Sequence, residues 1–178
     1  MPRLLTPLLS FLVVGGIAGV VFWGSWTEEP AAPPVAPIPL AAPVMPAGLP
    51  TATVDYVHDG DTLFLTDGTK VRLLAVDTPE IGSEAECFGD EATVYLQGLL
   101  PAGTVVSLQA DVEPLDQYGR ALYFVWLPDG SLVNLALVQN GYAEAVFIGA
   151  NRVFEAEVEA AEGVAVAAGS GMWGACRL

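Results

Sequence analysis

The segment VHDGDTLFLTDGTKVRLLAVDTPE, residues 57–80, constrains this chain more than any other. Two β-rich runs, DTLFLT (61–66) and KVRLLAV (70–76), flank Asp67-Gly68. Asp-Gly between two such runs signals a tight hairpin, because both residues tolerate a positive φ. The hairpin makes the strands antiparallel, so the end of the second lies beside the start of the first. Asp61, opening the first strand, then approaches Asp77, which follows the second. Two carboxylates brought together repel unless one is protonated or a cation sits between them. Thr78 and Glu80 add oxygen ligands, and such a site suits a hard cation such as calcium. The alternative is plain turn chemistry, with Asp59-Gly60 as a turn and Asp77-Thr78-Pro79 as a strand exit.

Further strands are expected at TATVDYV (51–57), TVVSLQA (104–110) and RALYFVWL (120–127). GDEATVYLQGLL (89–100) reads as a helix burying Val94, Leu96 and Leu100. SLVNLALVQNG (131–141) reads as a short helix with Ser131 as N-cap and Gly141 past its end. A last helix spans 151–169, capped by Asn151, with Val153, Phe154, Val158 and Ala161 on one face. The fold class is therefore mainly β with α: a five-stranded OB-type Greek-key barrel with about three helices. Barrels of this type commonly bind nucleic acids or oligosaccharides. Tyr123, Phe124 and Trp126 follow strand geometry and are expected mostly in the core.

The N-terminus is a separate object. No charged residue occurs from Leu4 to Thr27, a run of 24, and a membrane span needs roughly 20 apolar residues. Trp23 and Trp26 stand where an interfacial aromatic belt would lie, and Arg3 orients the remainder outward. Residues 1–27 are read as a signal anchor or a cleaved signal peptide; the apolar run exceeds a usual signal core, and no clear cleavage site follows it. Either way the domain is exported, anchored through residues 4–27 or secreted. Residues 28–50 form a Pro/Ala-rich linker, with eight prolines among residues 30–50. Proline fixes φ, so this is an extended spacer reaching up to roughly 65 Å. Residues 51–178 remain for one globular domain.

Charge narrows the chemistry. The chain has a formal net charge of -15, and His58 is its only histidine. A histidine zinc cluster is excluded, and so is a Ser-His or Cys-His pair except through His58, which is better read as a turn residue. A broad basic face for nucleic acid is also absent. Residues 51–178 hold 5 basic against 19 acidic residues. Two of the five, Arg72 and Arg120, matter most. Guanidinium groups bind phosphate in bidentate fashion and stabilise charge developing on it. A hard cation, two arginines and a free carboxylate are the parts needed for phosphodiester hydrolysis.

The stretches DGDTLFLTDGTKVRLLAVDTPE, CFGDEA, DQYGRALYFVW, VNLALVQNGYA and AEGVAVAAGSGMW, in this order, resemble the staphylococcal nuclease (thermonuclease) family. The likeness covers nearly all of 51–173. It implies an OB-fold enzyme that cuts DNA and RNA, preferably single-stranded, with Ca2+, leaving 3′-phosphate ends. By that resemblance Asp61, Asp77 and the Thr78 carbonyl are calcium ligands, and Glu80 activates or orients water. Arg72 and Arg120 clamp phosphate, with Arg120 also serving the leaving 5′-oxygen. Tyr118 and Phe147 contact substrate, Phe147 standing where the family often has tyrosine. Asp59 supports the metal site indirectly. The loop from Glu80 to the first helix is shorter than in the staphylococcal protein. A monomer with no protein partner is expected.

An exported domain favours oxidised thiols. Cys87 precedes the first helix and Cys176 follows the last, so one disulfide between them is expected, against two free thiols. Asn134 is expected to cap or bond a loop, and Glu162 to be a buried structural carboxylate. Two other functions remain open: a weak or inactive OB module holding single-stranded nucleic acid or another anionic polymer, and an envelope domain that calcium merely rigidifies. If the chain is a nuclease, its acidity sets the terms of binding, because phosphate contacts dominate nucleic-acid affinity. Weak substrate binding with a raised KM, strongly dependent on salt and divalent cation, is expected in steady-state cleavage assays; a KM in the family's usual range, insensitive to salt, would contradict it.

Overall fold

The computed structural model describes residues 42–176. The expectations for 1–27, and for the linker up to residue 41, lie outside the described residues. Among the described residues no helix is long and apolar enough to cross a membrane.

Five strands form a closed barrel: β1 Thr51–Val57, β2 Thr62–Leu65, β3 Lys70–Leu73, β4 Val105–Gln109 and β5 Ala121–Trp126. They pair in the order β1-β2-β3-β5-β4, closing through β4 with β1. All pairings are antiparallel except β3 with β5. That parallel seam requires a crossover, supplied by α1 (Gly89–Leu99) and β4. The hairpin forms at Asp67-Gly68, with Phe64 paired to Lys70. Side chains alternate as a half-buried strand demands. Leu63, Leu65, Val71 and Leu73 fill the barrel, while Phe64 and Lys70 stand on its outer face, half-buried.

β3 ends at Leu73, three residues earlier than the apolar run suggested. Residues 74–76 instead form a turn in which Ala75 takes φ 61°. Helix starts also differ from expectation. α2 (Val133–Gln139) is preceded by Leu132 rather than Ser131, and α3 (Glu155–Ala168) by Phe154 rather than Asn151. Asn151 is buried and employed elsewhere: its Oδ1 accepts the Glu113 N–H at 2.8 Å and its Nδ2 donates to the Glu113 carbonyl at 3.1 Å. Val94 is exposed; α1 packs through Ala92, Thr93 and Leu96. A short α4 (Met172–Ala175) and a single 3-10 turn (Gly82–Glu84) were not foreseen. α2 and α3 cover one side of the barrel, where Phe154 meets Phe124 and Trp126 edge-on. Phe124 and Trp126 are core, whereas Tyr123 is half-buried.

Cys87 and Cys176 form a disulfide, with Cα atoms 5.9 Å apart and a sequence separation of 89. It staples the approach to α1 onto the end of α4. Closing a loop of that length removes chain entropy from the unfolded state, worth up to about 4.6 kcal/mol. Replacing both cysteines by serine is expected to lower the unfolding free energy by about 2–4 kcal/mol in chemical denaturation. Equal midpoints and slopes for the two proteins would show that the crosslink does not constrain the unfolded chain.

Candidate active site

The register Thr62↔Arg72 sets the start of β2 beside the end of β3. Leu73 extends the ladder, its N–H donating to the Asp61 carbonyl at 2.9 Å. Asp61 and Asp77 do come together, and the cation between them is Arg72. Its Nη2 lies 3.0 Å from Asp61 Oδ2 and 2.6 Å from Asp77 Oδ1. Its Nη1 donates to the carbonyls of Leu73 at 2.9 Å and Val76 at 2.7 Å. One guanidinium therefore serves both carboxylates and holds the turn that delivers the second of them.

That turn needs holding. A non-glycine residue at positive φ costs roughly 1–2 kcal/mol, and Ala75 has one. Besides Arg72, the fully buried Asn134 ties the turn down. Its Nδ2 donates to Leu74 O at 2.8 Å and Tyr123 O at 3.3 Å, and its Oδ1 accepts Val125 N–H at 2.9 Å. Asn134 thus bonds a loop, and specifically the loop leading to Asp77. Asp77 is further fixed by reciprocal backbone bonds with Glu144, at 3.0 and 2.8 Å.

The two carboxylates live in different media. The Asp77 side chain is 54% exposed and that of Asp61 only 10%. Burial pushes Asp61 up and the adjacent Asp59 adds to this; Arg72 and the bonds from Thr78 and Thr62 oppose it, leaving a pKa of about 6. Asp59 Oδ1 also accepts the Asp61 N–H at 3.1 Å, so it shapes the turn beneath the site. Thr78 donates to Asp61 Oδ2 through its N–H at 3.2 Å and its hydroxyl at 3.3 Å. Gly60 is required by that approach: a Cβ there would stand 2.5 Å from Thr78 Oγ1.

Two carboxylate oxygens converge on one point, held here by the Arg72 nitrogen, and hard oxygen donors of this kind suit calcium as part of its ligand set. Among the described residues no cluster of three or more His, Cys, Asp or Glu forms a metal site. Further ligands would have to be neutral oxygens, such as the Thr78 carbonyl.

Glu80 is exposed. Its main chain is pinned: Glu80 N–H donates to Glu86 Oε2 at 3.0 Å, and Glu86 N–H returns a bond to Glu80 O at 2.9 Å. Gly89, at the start of α1, packs so closely on the Glu80 carbonyl that a Cβ would collide with it. Asp77, Thr78, Pro79, Glu86, Glu144 and Met172 line a polar cavity of about 220 Å³ next to this loop.

Arg120 occupies a second cavity, of about 320 Å³, with Tyr118, Asp116 and Ile148 in its wall. Its Nε donates to Asp116 Oδ2 at 2.6 Å, and its guanidinium lies 5.5 Å from the Tyr118 ring centre. Burial pushes the Asp116 carboxyl up, but bonds from the Arg120 side chain and from the N–H groups of Arg120 and Tyr118 outweigh it, leaving the pKa below the ordinary value. Tyr118 is 75% exposed and open to a ligand. Phe147 is half-buried, packed on the core and covered by Arg152 at 5.3 Å; Ile148 takes the cavity wall in its place. Asp116 went unassigned in the sequence, and which loop Asn134 would bond went unspecified. Asp116 was findable from its position four residues before Arg120; Asn134 carries no local signal, because its partners are 9, 11 and 60 residues away. Glu162 is only half-buried, accepting the Ala145 N–H at 2.7 Å.

A model of the family described as "Staphylococcal nuclease homologue" matches residues 70–175. The chain is 39% identical over 119 residues to Endonuclease YhcR of Bacillus subtilis, covering 60% of this chain but only 10% of that protein. It is 36% identical over 115 residues to a Thermonuclease of Staphylococcus intermedius, covering 61% of this chain and 67% of the relative. A Thermonuclease of Staphylococcus hyicus is 32% identical over 133 residues, covering 68% and 78% respectively.

The raised Asp61 pKa has a stability consequence with a definite sign. Between the ordinary value of 3.8 and about 6 the folded protein binds more protons than the unfolded chain. Stability therefore falls as pH rises through that window, by on the order of 3 kcal/mol from this group. Asp61→Asn cannot titrate. In chelator, the melting temperature of wild type minus that of Asp61→Asn is expected to fall as pH rises from about 4 to about 7. A rising difference would mean that Arg72, not burial, governs the group.

Proposed function

The chain belongs to the staphylococcal nuclease family, and from that premise we propose that it is a calcium-dependent endonuclease cutting DNA and RNA to 3′-phosphate ends. The observation that carries this reading is the convergence of Asp61 and Asp77 on a single cationic point. Two arginines and the exposed Glu80 supply the remaining groups. Asp61, Asp77 and the Thr78 carbonyl would hold calcium, which supplies a Lewis acid for a phosphate oxygen. Glu80 orients water for in-line attack and takes its proton as the new O–P bond forms. Arg72 and Arg120 bind the phosphate oxygens as charge grows on them, and the P–O5′ bond breaks beside Arg120. The leaving oxygen takes a proton from solvent water as it departs, and Glu80 returns its proton to solvent. Tyr118 flanks the phosphate at the Arg120 cavity. Arg72 is free for this task once its two carboxylates are otherwise compensated.

One observation favours a second reading. Both arginines are engaged with carboxylates, Arg72 with Asp61 and Asp77 and Arg120 with Asp116. A protein that kept them so would bind a strand without cutting it. Export is likewise proposed, as an anchored or secreted domain; the disulfide supports it, since such bonds persist in oxidising compartments.

The full chain, incubated with denatured DNA in calcium, is expected to cleave it and to stop when calcium is chelated. Glu80→Gln and Arg120→Ala should each lower kcat by roughly a hundredfold or more. Binding without cleavage in every sample would leave the module reading in place of the nuclease.

A further inference from the structure

The outer face of the barrel carries an aromatic row that the cleavage site does not use. β1 is bulged: Val54 pairs with Leu65 and Tyr56 with Phe64, so Asp55 and Tyr56 together oppose one residue. Such a bulge re-aims a side chain, and here it leaves Tyr56 46% exposed. The Tyr56 and Phe64 rings stack at 4.7 Å between centroids, 11° from parallel. Lys70, paired with Phe64 from the next strand, places Nζ 5.6 Å from that ring's centre. Ala121 is registered with Val71, so Arg120 stands at the Lys70 level of the following strand. Across β1, β2, β3 and the residue that leads into β5, the row reads Tyr56, Phe64, Lys70, Arg120.

This row adjoins the site directly. Residues two apart on a strand share a face and lie roughly 7 Å apart. Thr62 and Arg72 form the next outward pair along the same ladder, and the His58 N–H continues it by donating to Thr62 O at 2.9 Å. Three of the five basic residues of 51–178 therefore stand on two adjoining rows of a domain that is otherwise strongly acidic. A cross-strand aromatic pair stabilises a sheet by itself, but that role does not call for half of Tyr56 to face solvent or for cations to line up beside the pair.

We propose that the Tyr56–Phe64 shelf with Lys70 is a subsite for single-stranded nucleic acid, extending the cleavage site by a nucleotide beyond the phosphate at Arg120. The assignment rests on the nuclease reading above for its direction. The inner side of the Tyr56 ring is taken by Phe64, and its outer side receives an unpaired base. Asp55, the other bulge residue, opposes a phosphate near Tyr56, so contact there comes from stacking. Lys70 takes the phosphate between shelf and Arg120. A base held in a duplex presents no face to the ring, and the subsite therefore selects unpaired strands.

The test measures binding of a fluorescent single-stranded oligonucleotide to the full chain in calcium, by anisotropy, on a Glu80→Gln background. Adding Tyr56→Ala is expected to weaken binding about tenfold, in keeping with the loss of one base stack. Tyr56→Trp should bind at least as well as its parent, with the new indole quenched as the strand binds. Lys70→Gln should shallow the salt dependence by close to one phosphate contact. Unchanged affinity in Tyr56→Ala with no indole quenching in Tyr56→Trp would overturn the subsite, and so would equal losses for duplex and single strands. Cleavage by wild type is scored separately. Cleavage with an inert shelf removes the subsite and leaves the nuclease; a responsive shelf without cleavage removes the nuclease and keeps the subsite.

Discussion

Arg72 between Asp61 and Asp77 is the contact on which the rest of the site depends. It neutralises a buried carboxylate, draws an exposed one toward it and holds the carbonyls of the turn joining them. Removing one partner of a buried ion pair costs about 3–5 kcal/mol, because a charge is stranded without compensation. With both acids ionised, the positive group between them offsets their mutual repulsion. In the proposed catalytic cycle that duty passes from a side chain to an ion, and the guanidinium turns to the substrate. The same contact thus stabilises the resting protein and marks where the proposed divalent cation would stand.

Much of this was legible in the sequence, for reasons that differ by residue. The hairpin could be read because Asp67-Gly68 is local turn chemistry bounded by strands of period two. The approach of Asp61 to Asp77 followed from antiparallel pairing alone. The sequence could not show that Arg72 would fill the gap, because its distance from Asp77 depends on a turn that bends back at Ala75. Strand run-length misled there: Leu74-Ala75-Val76 is apolar because it is buried in the turn, not because it continues β3. Asn151 misled in the other direction. Its position before an apolar helix face fits a cap, yet a long-range partner, Glu113, outcompetes that role.

Net charge and local charge also part company here. The chain as a whole repels polyanions, while three of its cations, Lys70, Arg72 and Arg120, stand close together on the barrel. Two of them are partly masked by carboxylates, Arg72 by two and Arg120 by one. Affinity from bulk electrostatics is thereby given up, and stacking surfaces such as Tyr118 gain weight in its place. Under the proposed nuclease reading, the acidic remainder keeps phosphate contacts away from these cations weak.

The disulfide has a topological meaning for all of this. Covalently, the described protein is a ring from Cys87 to Cys176 with an open arm ahead of it. β4, β5 and every α-helix lie within the ring; β1, β2 and β3 form the arm. Asp61, Asp77, Arg72 and Glu80 belong to the arm, while Arg120 and Tyr118 belong to the ring. The reactive ensemble exists only while the arm is zipped to the ring along two seams, β1 to β4 and β3 to β5. Peeling the arm away disassembles the site while the crosslinked ring remains closed.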